Sequence, residues 1–239
     1  MSDGFTEIWA YLSATPLLGL TATLIAYQGG LWLYNRTNRF ALFNPVLVAI
    51  VALIAFLKVS GMNYEAYFDG AQFIHFMLGP ATVALAVPLY QQLERVRRSA
   101  LAILVSVVVG SVTAVVTAVG AAWMMGASKT AMLSIAPKSV TTPIAMGISE
   151  ITGGAPSLTA VLVILTGILG AVGGAWLLDA FGVKDERARG LAMGAACHGI
   201  GTARAFQMGE VAGAFSGLAM GLNGLATAVL LPVLLHLFF

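Results

Sequence analysis

Long and nearly uncharged apolar stretches run along almost the whole chain, and they constrain its fold more than any other feature. The clearest covers Leu101 to about Met125, and another covers Ser157 to about Ala180. An apolar stretch of about 20 residues is long enough to cross a bilayer as an α-helix. Charged residues make up only 9% of the 239 residues. The sequence therefore predicts an all-α, polytopic integral membrane protein without a sizeable soluble domain.

The apolar stretches predict about seven or eight membrane segments in a single membrane domain of residues 1–239. We divide this domain into an N-terminal extension (1–15), a first half (16–125) and a second half (126–239). No Lys or Arg precedes Arg36, so the first apolar stretch is expected to be retained as a span rather than removed as a signal peptide. The segments cover approximately 16–34, 42–59, 71–91, 101–125, 129–150, 157–180, 190–207 and 211–239.

Charge in the connectors predicts the orientation, because short cytoplasmic connectors collect Lys and Arg. The connectors that contain Arg36 and Arg95 are separated by two spans, so both lie inside if the N-terminus lies outside. A third cationic connector, 184–189, reaches that side only if the 129–150 segment is re-entrant. Charge counting leaves an irregular crossing open, and we favour re-entry. The net charge of +2 is confined to short loops, which argues against a nucleic-acid partner.

Two prolines, Pro137 and Pro143, interrupt the apolar segment 129–150. Proline has no N–H donor and frees a carbonyl one turn earlier, and such backbone is tolerated at membrane depth only beside protein or a polar cavity. An exposed helix N-terminus, hydroxyls and one ammonium together predict a site for a small anion. Its predicted ligands are Lys138, Ser139, Thr141 and Thr142. The competing interpretation is a proline kink patched by its own hydroxyls, with Lys138 reaching to the membrane interface.

A similar break lies at Gly79-Pro80, where the pattern Pro-X-Ser/Thr-Val of Pro80 to Val83 is repeated by Pro137 to Val140. Transporters built from internal repeats place discontinuous helices at corresponding positions around a central site. The echo therefore suggests an internal repeat, and it adds Thr82 to the predicted substrate ligands.

The stretch from Cys197 to Arg204 is the third candidate. On a continuous helix His198 and Thr202 share one face, and Gly194 one turn earlier leaves room for a ligand or another backbone. For His198, a ligand or proton-relay role and a purely structural role both stay open. Arg204 is either a substrate contact or an interfacial residue. Asn223, further along, is interpreted as a hydrogen-bond partner between helices.

Groups typical of catalysis are not found in the sequence. It contains no phosphate-binding loop, no Cys/His metal spacing and no paired acids, so we predict no enzyme, no metal and no cofactor. The single cysteine, Cys197, excludes an internal disulfide and is expected to be a buried thiol.

Three motifs together resemble the LrgB/CidB family of membrane proteins. They are Leu78 to Tyr90, Pro137 to Ala145 and His198 to Arg204, and the resemblance extends over nearly the whole chain after the first fifteen or so residues. The serine that is usual before the His-Gly pair is Cys197 here, which weakens any role for a hydroxyl at that position.

The resemblance implies two roles. Some members are described as holin-like or antiholin-like regulators of murein hydrolase export and lysis, acting with a smaller LrgA/CidA-type partner. Plastid relatives resemble glycolate/glycerate transporters, and bacterial relatives are linked to pyruvate movement.

We favour a secondary transporter of small monocarboxylates in the bacterial cytoplasmic membrane, working by alternating access in an elevator-like manner, because the broken segments carry Lys138, hydroxyls and His198. His198 or Glu150 is a candidate proton-coupling group, and a homodimer in the bilayer is expected.

Overall fold

The computed structural model describes residues 16–37, 40, 43–77, 80, 83–84 and 86–238, and every secondary-structure element in this part is an α-helix. This confirms the all-α prediction. The chain divides into two compact units, residues 1–84 and 85–239. The single membrane domain of residues 1–239 stays a prediction. The N-terminal extension, Gly79 and the predicted ligand Thr82 lie outside the described residues.

The first unit contains α1 (Pro16–Arg36), α2 (Pro45–Ser60) and α3 (Tyr64–Phe76). The side chain of Asn44 starts α2 by accepting a hydrogen bond from the Val46 N–H at 2.9 Å, which is typical of an N-cap asparagine. Glycine lets α1 approach its neighbours closely, since a Cβ at Gly30 would lie 2.7 Å from the Pro45 carbonyl oxygen. Helix α1 packs against both α2 and α3.

Residues 60–69 fall between the segments predicted at 42–59 and 71–91, yet most of them are helical. Helix α3 begins at Tyr64 and includes Glu65 and Asp69. The Asn63 side chain accepts a hydrogen bond from the Ala66 N–H at 2.8 Å. An N-terminal cap of this kind stabilises a helix even where the local composition is polar.

The described residues of the second unit form eight helices: α4 (Ala86–Gln91), α5 (Leu93–Arg98), α6 (Ala100–Met124), α7 (Lys129–Ile135), α8 (Thr142–Thr152), α9 (Pro156–Ala180), α10 (Glu186–Met208) and α11 (Glu210–Phe238). In the described part of the chain, α6, α9 and residues 210–236 of α11 are long and apolar enough to cross a membrane, and α2 is a shorter apolar helix. A total of seven or eight segments stays a prediction.

Residues 129–152 fold into a helical hairpin, called hairpin 1, with α7 and α8 as its arms. The chain leaves α7, turns through residues 136–141 and returns along α8. Just after α8, the Ala155 N–H donates to the hydroxyl of Ser134, in the last turn of α7, at 2.8 Å. A Cβ at Gly154 would lie 3.1 Å from the Ser134 nitrogen. The chain after α8 therefore lies against the last turn of α7, which shows that this segment folds back on itself. Re-entry into the membrane stays a prediction.

Helix α10 is also folded back on itself, and residues 186–208 form hairpin 2. Its backbone leaves helical geometry at His198, where φ is 43° and ψ is −138°. The first arm runs in the same direction as α11, because Gly190 lies against the Ala212 carbonyl and Gly194 against the Ser216 carbonyl. The second arm returns to the start, where a Cβ at Gly209 would lie 3.1 Å from a carboxylate oxygen of Glu186.

The prediction of one continuous helix face through Gly194, His198 and Thr202 was therefore wrong. Between His198 and Gly201 the chain reverses, so a Cβ at Gly201 would lie 2.5 Å from the Met193 carbonyl oxygen. A straight helix would hold those two residues about 12 Å apart along its axis.

The two hairpins approach the middle of α9 from opposite ends. Hairpin 1 follows the N-terminal half of α9, where the Thr159 hydroxyl donates to the Ser149 hydroxyl at 2.7 Å, and its tip reaches Val163 through Val140. Hairpin 2 follows the C-terminal half, and its tip lies against Gly167 through His198. Both tips therefore meet beside residues 163–167.

The second unit contains the same arrangement twice. Helices α6 and α9 each have 25 residues, each is followed by a glycine with positive φ, Gly126 or Gly182, and each leads into a hairpin. Gly153 follows hairpin 1 and Gly209 follows hairpin 2. These two glycines are as far apart in sequence as Gly126 and Gly182 are. The second copy points the opposite way along the unit. This repeat differs from the predicted echo between Pro80 and Pro137.

The two cationic connectors of the second unit lie at the same end. Arg95, Arg98, Asp185, Glu186 and Arg187 surround one pocket of about 430 Å³. The re-entrant interpretation of residues 129–150 stays a prediction.

Candidate functional site

The tip of hairpin 1 is an irregular turn held by short-range backbone bonds. The Lys138 N–H donates to the Ile135 carbonyl at 3.1 Å, and the Val140 N–H donates to the Pro137 carbonyl at 3.2 Å. Thr141 is the N-cap of α8, yet its side chain makes no capping hydrogen bond. The first turn of α8 therefore keeps uncommitted N–H groups and the positive end of the helix dipole, as the sequence predicted for an anion site.

Lys138 places the only formal charge at this tip. Its side chain is half-buried, and its ammonium donates to the Ser139 hydroxyl at 3.4 Å. It lines an open groove of about 520 Å³ between α6, α7 and α9. Within the described part of the chain, no Asp or Glu forms an ion pair with it. An ammonium in apolar surroundings favours an anion beside it.

Asn223 of α11 joins the two hairpins. Its amide nitrogen donates to the Ser139 carbonyl at 3.3 Å and to the Ala195 carbonyl at 2.9 Å. The side chain is 1% exposed, and two carbonyl acceptors on the nitrogen side fix the orientation of the amide. The prediction that Asn223 is a hydrogen-bond partner between helices is confirmed.

His198 lies at the tip of hairpin 2 and is 4% exposed. Its Nε2 lies 2.9 Å from the Val163 carbonyl oxygen, so this nitrogen carries the proton. Gly167 makes room for the ring, because a Cβ there would lie 2.7 Å from Cε1. This bond supports a structural role for His198, and its role in proton coupling stays a prediction.

The remaining predicted ligands on hairpin 2 lie beyond its tip. The Thr202 hydroxyl donates to the His198 carbonyl at 2.9 Å and lies 3.0 Å from the Ser216 hydroxyl. Arg204 is further down the returning arm, where its Nη1 donates to the Gln207 side chain at 2.9 Å. Glu150 is exposed on α8.

The structure thus brings Lys138, Ser139, Thr141 and Thr142 together at one tip. His198 lies at the opposing tip, Thr202 follows it on the returning arm, and Arg204 lies nearer the base of hairpin 2. The function of each residue stays a prediction.

The sequence interpretation missed the part of α9 that receives hairpin 2. Gly167, Gly170 and Gly174 face His198, Cys197 and Met193 respectively, and a Cβ at Gly170 would overlap the cysteine sulfur. Their spacing of three and four residues places these glycines on one helix face. That spacing was the available signal, and it predicts close packing rather than a ligand.

The fold and site define a multi-pass helical membrane protein with two opposed hairpins. The model of the LrgB-like family matches residues 23–237, and the chain belongs to the LrgB family.

Among curated relatives, the antiholin-like protein LrgB of Bacillus mycoides (strain KBAB4) is 40% identical over 219 residues, covering 92% of this chain and 95% of the relative. The antiholin-like protein LrgB of Bacillus cereus (strain B4264) is 39% identical with the same coverage. The protein of that name from Bacillus anthracis (strain CDC 684 / NRRL 3495) gives the same values as the Bacillus cereus protein. No solved structure matches the chain.

Proposed function

We propose that this protein is a secondary transporter that carries small monocarboxylates across the membrane. The observation that carries the proposal is the meeting of two oppositely directed hairpins beside the middle of α9, with Asn223 bonded to both. Non-helical backbone at membrane depth is tolerated where it lines a cavity or is buried in protein, and transporters use such breaks as binding sites.

The chemistry of hairpin 1 supports an anionic substrate. The Lys138 ammonium, the hydroxyls of Ser139, Thr141 and Thr142, and the uncapped start of α8 all offer donors or positive charge. A single carboxylate matches one ammonium. A hydrogen bond to a charged group contributes about 1.5–3 kcal/mol, so removing the ammonium should weaken transport by about tenfold to a hundredfold.

The opposed directions of the hairpins support alternating access. Hairpin 1 has its open end beside the start of α9, and hairpin 2 has its open end beside the end of that helix. Movement of one hairpin would expose the shared region to one face, and movement of the other would expose it to the opposite face. A substrate changes the balance between such states only by binding them with different affinities.

An antiholin-like role is the second candidate, because the curated relatives carry that name. The names support this candidate more directly than they support transport. In this role the chain would regulate murein hydrolase export and lysis together with an LrgA/CidA-type membrane partner.

The test is uptake of labelled pyruvate, glycolate and glycerate into proteoliposomes that contain the full chain, with and without an LrgA-type partner. Transport predicts saturable uptake that falls at least tenfold in Lys138→Ala and clearly in Thr142→Val. Lys129→Ala and Thr113→Val are matched controls, since both residues are exposed on α7 and α6, and each should retain uptake.

Two results would contradict the proposal. One is uptake that is equal in Lys138→Ala and the unmodified protein. The other is leakage of large dyes from the same vesicles without saturable uptake, which favours the antiholin-like role.

A further inference from the structure

Asn223 is bonded to both hairpins through its side-chain nitrogen alone. That nitrogen donates to two carbonyls, while no described residue donates a hydrogen bond to the side-chain oxygen, Oδ1. The side chain is 1% exposed. Most buried acceptors in proteins have a donor, and one that lacks it lowers stability. Oδ1 therefore favours a molecule that supplies a donor.

The two carbonyls that Asn223 contacts occupy equivalent positions in the inverted repeat. Ser139 and Ala195 are as far apart in sequence as Gly126 and Gly182, the glycines that precede the two hairpins. The amide of Asn223 therefore lies where the two copies of the repeat meet. Transporters built from inverted repeats hold their substrate at this junction, near the middle of the membrane.

The first turn of α8 lies beside Asn223. Gly224, the next residue on α11, contacts this turn, since a Cβ at Gly224 would lie 3.0 Å from Cδ1 of Ile144. The uncommitted N–H groups at the start of α8 suit a carboxylate. The oxygen and nitrogen of an amide are about 2.3 Å apart, so Oδ1 also lies close to the tip of hairpin 1. One small acid can place its carboxylate at α8 and a neighbouring group at Oδ1.

The group that fits Oδ1 is a hydroxyl. A keto oxygen would place two acceptors against each other, and an alkyl group would leave Oδ1 unpaired. A site that accepts a hydrogen bond from a substrate hydroxyl disfavours the analogue that lacks it. A metal ion is a poorer candidate, because the described residues contain no group of three His, Cys, Asp or Glu side chains that could hold one.

We infer that Asn223 is a substrate-binding residue, and that its Oδ1 selects monocarboxylates with a hydroxyl beside the carboxylate over keto acids and unsubstituted acids. This inference rests on the proposed function and names a further residue of the same site. The nitrogen of Asn223 fixes the amide between the hairpins, and the oxygen contacts the substrate.

The test is competition in proteoliposomes that contain the full chain and take up labelled glycolate. Unlabelled lactate, pyruvate and propionate share one carbon skeleton, and the carbon beside the carboxylate carries a hydroxyl, a keto oxygen or only hydrogens. We expect lactate to inhibit at about tenfold lower concentration than the other two, because only lactate gives Oδ1 a donor. This comparison uses the unmodified protein and so does not depend on the folding of a variant.

Asn223→Ala should remove the preference, so that the three acids inhibit at concentrations within about twofold of one another. Thr227→Val is the matched control, because Thr227 lies one turn further along α11, is 3% exposed and bonds Ser111 of α6 at 2.9 Å. This control also removes a buried hydrogen bond between helices, yet it should keep the preference for lactate.

Equal inhibition by the three acids in the unmodified protein would overturn the inference, because a buried water would then satisfy Oδ1. A preference for lactate that persists in Asn223→Ala would overturn it too, and would leave Asn223 as a bond between the hairpins only. Uptake of pyruvate without uptake of glycolate likewise defeats only this inference. Absence of saturable uptake of every acid by the unmodified protein defeats the proposed function and the inference with it.

Discussion

Hairpin 1 and hairpin 2 reverse the chain at the same depth of the second unit by different means. Hairpin 1 uses a turn of residues 136–141 with two prolines nearby, and it leaves Lys138 and the start of α8 with unused donors. Hairpin 2 reverses at one residue, His198, whose ring is bonded to Val163. In the proposed function, hairpin 1 supplies most of the binding chemistry. Hairpin 2 is held by tight packing and internal hydrogen bonds.

Packing of the arms should give the largest difference between the hairpins. A Cβ at Gly194 of hairpin 2 would overlap the Ser216 carbonyl, whereas Gly147 of hairpin 1 has nothing within 4 Å. We expect Gly194→Ala to lower the free energy of unfolding by about 1–3 kcal/mol. Gly147→Ala should raise it by up to about 1 kcal/mol, because alanine favours helix. Thermal unfolding of both purified variants measures the two changes in stability. Changes of equal size and the same sign would contradict the difference in packing between the hairpins.

Backbone strain at His198 predicts a smaller effect on stability. The sign of this effect tests the backbone conformation at that residue. In an ordinary helix, glycine is less stable than alanine by about 1 kcal/mol. At His198 the φ of 43° disfavours any side chain, so His198→Gly should be more stable than His198→Ala by about 1 kcal/mol. Both variants lose the bond to Val163, which makes each the control for the other. A His198→Ala variant that is more stable than His198→Gly would contradict the positive φ at this residue.

The N-caps at the start of the two hairpins should differ least in their contribution to stability at neutral pH. Ser128 caps α7 and Asp185 caps α10, and replacing either with alanine should cost about 1 kcal/mol or less. The side-chain hydrogen bond from Arg187 lowers the pKa of Asp185 to about 2. The contribution of this carboxylate is therefore complete above about pH 4 and is lost as the pH falls through about 2.

The Ser128 cap does not titrate, so only the effect of Asp185→Ala should shrink in acid. Unfolding midpoints of both variants between pH 7 and pH 2 would show this. An effect of Asp185→Ala that already disappears near pH 6 would contradict the assignment.

Local signals allowed much of the second unit to be predicted from sequence. Helices α6 and α9 follow from long apolar stretches, since only helix satisfies the backbone of such a segment in lipid. The break at the tip of hairpin 1 follows from Pro137 and Pro143, because proline acts on the residues beside it. The resulting cluster around Lys138 was predicted for the same reason.

Hairpin 2 was not predicted, because its cause is not local. Histidine has no strong preference for positive φ, and the reversal at His198 is maintained by its bond to Val163 and by space at Gly167. Both partners are more than 30 residues away in sequence, beyond the reach of periodicity. Likewise, the sequence indicated that Asn223 forms a hydrogen bond to another helix. It could not indicate the two acceptors, the carbonyls of Ser139 and Ala195, because they depend on where both hairpin tips lie.

The inverted repetition of α6 with hairpin 1 and α9 with hairpin 2 has a consequence for energetics. In a carrier built this way, any conformation in which one copy is open and the other closed has a counterpart in which the copies exchange roles. The two counterparts differ in free energy only through the differences in sequence between the copies. Such a carrier is nearly balanced between the two faces of the membrane, and the concentration gradients across the bilayer then set the direction of net flux.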